Sequence, residues 1–189
     1  MSKFILITVF IVGLIYILAP GPSSIEDFSP IPSSLKSDEP GDTYQNPNIA
    51  AYFSDYDREA ITNYYRNDLK DKYFFGIIPP LSINRPPKEA YTYVRDLQMS
   101  TFLEEYVYPL RSSLFVNGYE PHIEAHILGL APSAGDIIHI NGQYFKSKTT
   151  IRFYPSEWYV RLFVYLGIWV AFILLWKMFK KVLIGRLYD

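Results

Sequence analysis

Residues 158–176 read WYVRLFVYLGIWVAFILLW, nineteen positions with Arg161 as the one charge. As an α-helix at 1.5 Å per residue this run is about 28 Å long, close to the ~30 Å hydrocarbon thickness of a bilayer. Trp158, Tyr159 and Trp176 stand where amphipathic rings favour the headgroup level, and Arg161, one turn inside, reaches outward along its own stem. Ser156 follows Pro155 and reads as the N-cap. The spacing therefore predicts a transmembrane helix over 156–177. As a buried helix it would need a larger core than the polar middle of the chain can build.

The flanks orient that helix. Lys177, Lys180, Lys181 and Arg186 against Asp189 give the tail, 178–189 with Lys177 beside it, a charge of +3. Basic flanks stay on the cytoplasmic side. Its Met178, Phe179, Val182, Leu183 and Leu187 alternate with lysines, which fits either an interfacial helix or a plain helix end in solvent. At the other end, 4–18 reads FILITVFIVGLIYIL behind Lys3, uncharged throughout. With Ala19 it spans about 24 Å, short for a bilayer. It reads as an uncleaved signal anchor or transmembrane helix over 1–19; cleavage after Ser23 is the alternative and would leave a single-pass chain. With Lys3 inside as well, the expectation is a two-pass protein of the cell membrane, both termini cytoplasmic and 21–156 outside. Residues 21–157 hold twelve Lys and Arg against eighteen Asp and Glu, a net of −6.

Residues 20–48, PGPSSIEDFSPIPSSLKSDEPGDTYQNPN, contain six prolines and few apolar side chains. They read as an acidic, Pro/Ser-rich spacer. The segment 49–155 reads as an extracytoplasmic α+β domain of two helices followed by an antiparallel sheet, flanked by the two transmembrane helices. The first helix starts at a Ser54 cap with Asp55, Asp57 and Glu59 in its first turn, and carries Tyr56, Ala60, Ile61, Tyr64, Tyr65 and Leu69 on one stripe to about Lys72. The second opens at Pro86-Pro87, buries Tyr91, Val94, Leu97, Met99, Phe102, Leu103, Tyr106 and Val107, and ends at Pro109. Ser113–Val116 reads as a strand closed by an Asn117-Gly118 turn, and 122–127 as a second strand. Residues 137–140, Asn141-Gly142 and 143–154 read as a hairpin with a primed turn.

Chemistry is sparse. With no cysteine, disulfides, thiolate zinc sites, Fe–S clusters and Cys nucleophiles are excluded. A net charge of −1 without a basic cluster outside the membrane argues against nucleic acid as a partner. There is no phosphate-binding glycine loop and no G-x-S-x-G elbow. The three histidines fall within eighteen positions. In a strand, His122, Glu124 and His126 would share a face, and His139 could complete a zinc-type ligand set; the alternative is a polar sheet face in water. Eleven of the seventeen tyrosines lie between Tyr44 and Tyr119. Most fit buried stripes, whereas Tyr93 and Tyr108 fall off them and are the candidate contact residues. The expectation is a membrane-anchored envelope protein whose small acidic ectodomain binds a protein partner or scaffolds an assembly, with no cofactor. The alternative is a metal-dependent extracytoplasmic enzyme using zinc at His122, Glu124, His126 and His139.

Overall fold

The computed structural model describes residues 3–43, 45–73, 76–84, 108–122, 129 and 137–188, with side chains to residue 182. It is α+β, with helices α1 (Lys3–Leu18), α2 (Arg58–Lys72) and α3 (Trp158–Tyr188). The strands are β1 (Leu35–Lys36), β2 (Ile49–Ser54), β3 (Ser82–Asn84), β4 (Ser113–Tyr119), β5 (Ile138–Ile140), β6 (Gln143–Phe145) and β7 (Ser147–Tyr154). The chain divides into two compact units: residues 1–19, 109–111 and 156–189 form one, and residues 20–108 with 112–155 the other. The second helix expected over 86–109 and the strand expected over 122–127 lie outside the described residues, apart from their last or first positions.

In the α+β unit the organising strand is β7. Its side chains alternate strictly, Ser147, Thr149, Ile151 and Phe153 being buried and the residues between them half-buried. Both of its edges are paired, with β2 on one side and β4 on the other, in a five-stranded sheet of order β1-β2-β7-β4-β3. The sheet is mixed and not antiparallel as expected, because β3 runs parallel to β4, Ile83 opposite Leu114. The long connection between Asn84 and Ser113 supplies the crossover that parallel neighbours require. One face of the sheet, with Ala50, Tyr52, Leu114, Val116, Ile151 and Phe153, forms the core with Ile61, Tyr65 and Leu69 of α2.

Three local readings change. Helix α2 begins at Arg58, capped by Asp57, whose carboxylate accepts from the Ala60 N–H at 2.7 Å. Ser54 instead ends β2, whose six residues are all buried; Ile-Ala-Ala-Tyr-Phe has no period-two pattern because both of its faces are covered. Asn117-Gly118 does not turn: β4 runs through it, with Asn117 opposite Thr150 and Gly118 opposite Thr149. A Cβ on Gly118 would lie 2.9 Å from the Lys148 carbonyl oxygen, so glycine serves close strand approach here. The 137–154 hairpin is shorter than expected. Asn141 and Gly142 do form the primed turn, with φ of 51° and 79°. The returning arm pairs with β5 only through Phe145, and Lys146 then bonds across to the Ser54 carbonyl at 3.1 Å, which delivers the chain into β7.

The proline-rich stretch is part of the fold. Phe28 and Ile31 are core residues, and the Phe28 ring meets those of Tyr65 and Phe153 with centroids 6.0 and 5.2 Å apart. A short 3-10 turn at Ile25–Asp27 sets up this entry, capped by Ser24. The Asp27 carboxylate accepts from the Ser23 and Ser24 backbone N–H groups, which hold it below the usual carboxylate range. Farther along, the Tyr64 hydroxyl donates to the Pro30 carbonyl at 2.9 Å, and Ser29 bonds Asp68 at 3.0 Å and Lys72 at 2.6 Å. At the far edge Lys148 pairs with Glu39 at 2.8 Å and Asp42 at 2.7 Å. Burial works against the Lys148 charge, but the two carboxylates outweigh it and raise its pKa.

The Tyr65 ring is fully buried and its hydroxyl meets no hydrogen-bonding group among the described residues; burial pushes its pKa far above the ordinary phenol value. An unsatisfied buried hydroxyl costs about 1–3 kcal/mol. Tyr65→Phe is therefore expected to leave stability unchanged or raise it by about 1 kcal/mol, seen as an equal or higher midpoint of thermal unfolding.

Candidate functional site

The feature that places this protein is α3. Its Trp158–Val182 stretch, 25 residues, is long and apolar enough to cross a membrane. Its side chains point outward almost throughout: Phe163, Val170, Leu174 and Leu175 are all more than half exposed. A helix apolar all round and left mostly uncovered by protein suits a hydrocarbon environment. Trp158 and Tyr159 are exposed at one end, and at the other the Trp176 ring stacks on Phe179 with Lys180 Nζ 5.4 Å from its centroid. The tail continues the helix without a break to Tyr188. At the start, Glu157 and not Ser156 precedes the first turn, its carbonyl accepting from the Arg161 N–H at 3.0 Å, while the Ser156 hydroxyl donates to the Pro109 carbonyl at 3.2 Å.

Helix α1 packs along α3. The Tyr165 hydroxyl donates to the Phe10 carbonyl at 2.8 Å, and the Phe10 ring lies between Tyr165 and Trp169, centroids 5.6 and 5.4 Å away. Gly13, the one glycine of the N-terminal apolar run, makes room: a Cβ there would fall on the Tyr165 hydroxyl. At the end of α1, Arg111 Nη1 donates to the Ala19 carbonyl at 2.9 Å, and its guanidinium sits 4.6 Å above the Tyr16 ring. Sequence reasoning did not single out Gly13, Tyr165 or Arg111. A lone glycine in one apolar run and a lone tyrosine hydroxyl in the middle of the other were the available signals.

The residues expected to carry chemistry are dispersed. Tyr93 lies outside the described residues. Tyr108 is 47% exposed, and its backbone N–H donates to the Ser113 hydroxyl at 3.4 Å. Of the four candidate zinc ligands, Glu124 and His126 lie outside the described residues. His122 is exposed, and His139 on β5 sits against Tyr144, centroids 4.8 Å apart. Among the described residues no group of three His, Asp or Glu side chains could hold a metal ion.

One polar cluster among the described residues is buried. Glu120, just after β4, accepts from the Arg58 backbone N–H through Oε1 and from Arg58 Nε at 2.9 Å through Oε2, while Arg58 Nη1 donates to Asn117 at 3.2 Å. Both charged side chains are 5% exposed. This arrangement fixes the first turn of α2 against β4, its two charges paired with each other.

These features define a class: an α+β unit joined to a helix fit to cross a bilayer. Comparison with protein-family models, curated proteins and solved structures finds no match to this chain.

Proposed function

We propose that the chain is a two-pass membrane protein with both termini in the cytoplasm, and that its acidic α+β unit works outside as a binding or scaffolding domain for a protein partner in the envelope. The observation that carries this reading is the packing of α1 on α3 through Gly13, Phe10, Tyr165 and Trp169. A helix that shares a close seam with a membrane-crossing helix, and exposes Phe4, Ile7, Val9 and Val12 elsewhere, belongs in the same bilayer. Its shortness is accommodated by local thinning of the bilayer or by its flanks. For the outer domain, exposed rings at Tyr56, Tyr108, Tyr119 and Tyr144 supply the side-chain type favoured at protein contacts.

Retention of α1 is the test. Intact mass measurement of the protein extracted from membranes is expected to give the full chain of 22.0 kDa. A chain beginning after Ser23 would show that α1 is removed, and the two-pass reading would fall.

A further inference from the structure

Arg111 is 2% exposed, yet its Nε and Nη2 meet no hydrogen-bond acceptor among the described residues. Only Nη1 is engaged, on the Ala19 carbonyl. Among the described residues Arg161 Nε is buried without an acceptor as well, and the Ser156 hydroxyl bond to the Pro109 carbonyl at 3.2 Å brings the segment that carries Arg111 to the start of α3. Two guanidiniums thus sit in one neighbourhood with three buried N–H donors unspent, an arrangement that costs more than a neutral orphan group. The Ala19 carbonyl at the C-terminal end of α1 offers Arg111 a partial negative charge and one acceptor. Arg161 stands in the N-terminal turn of α3, where the helix itself favours an anion.

We propose that Arg111 and Arg161 form a binding site for a phosphate oxyanion, filled by the phosphodiester of an anionic phospholipid in the outer leaflet. Planar guanidinium forks match the tetrahedral oxygens of phosphate, and several acceptors on one group can take several donors at once. The level is right for a headgroup: Arg161 is one turn into the apolar run, and Trp158 and Tyr159 beside it are exposed. The site rests on the membrane reading of α3 and adds to it a specific lipid contact, which locks the end of α1 to the start of α3.

The test uses the full chain in maltoside micelles, which carry no phosphate, titrated with phosphatidylglycerol or with inorganic phosphate. Native mass spectrometry reads the bound species. One phosphatidylglycerol per chain is expected, with occupancy falling at least about tenfold in Arg161→Gln and in Arg111→Lys, the latter keeping a charge for Ala19 but losing the fork. Binding of inorganic phosphate that competes with the lipid and is lost in the same variants supports the oxyanion site with the free anion as its ligand. Lipid binding unchanged in both variants, or no binding of either ligand to the folded wild type, overturns the proposal. Labelling of the same preparation for topology separates that result from failure of the membrane reading, since a spanning α3 without lipid retention sinks the site alone.

Discussion

Glu120→Ala is expected to cost the α+β unit about 3–5 kcal/mol, the penalty for stranding one member of a buried ion pair. The change leaves the Arg58 guanidinium buried without its carboxylate and removes the acceptor that caps the Arg58 N–H. Arg58 is the first residue of α2, where a positive charge opposes the helix macrodipole, so the helix start depends on Glu120. The double variant Arg58→Met with Glu120→Leu removes both charges and should recover most of the loss. All three tryptophans lie in α3, so unfolding of this unit has to be followed by tyrosine circular dichroism or by hydrogen exchange. A loss below about 1 kcal/mol would mean the pair behaves as a surface ion pair.

Phe28→Ala carries nearly as large an effect, about 3 kcal/mol or more. The ring is 4% exposed and packs edge-on against both Tyr65 and Phe153. Alanine would leave a cavity where the proline-rich segment, α2 and β7 meet. The consequence bears on organisation: a segment that only tethered the domain to the bilayer would tolerate the change within about 0.5 kcal/mol. Hydrogen exchange adds a second readout, because loss of the Phe28 anchor should free the Ser29 and Pro30 bonds to α2 before the sheet opens.

Some of this architecture was readable in the chain. The alternation of β7, the 3.6-residue stripe of α2 and the Asn141-Gly142 turn are local patterns, and each produced an element close to its expected place. The apolar length of α3 was equally plain. What escaped has a common physical cause, in that it depends on partners distant in sequence. The stretch at Ile49–Ser54 has no alternation because it is buried on both faces, and Asn117-Gly118 carries a turn signature that β7 overrides by pairing with it. Residues 20–48 look too polar for a core, yet two apolar side chains and a few bonds from Ser29 and Pro30 fix them to α2. At the membrane end, nothing local marks Arg111 as the residue that meets Ala19.

The central claim of the proposal is topological: the α+β unit outside and both termini of the chain inside. The absence of cysteine makes it directly measurable, because each introduced thiol is the only one. Tyr144→Cys places a thiol at a position 70% exposed in the α+β unit, and Ser2→Cys and Asp189→Cys place one at each end. With a membrane-impermeant maleimide on intact cells, the account predicts labelling of Tyr144→Cys alone, with Ser2→Cys and Asp189→Cys reacting only after permeabilisation. Labelling of either terminal variant on intact cells, or protection of Tyr144→Cys, would contradict it.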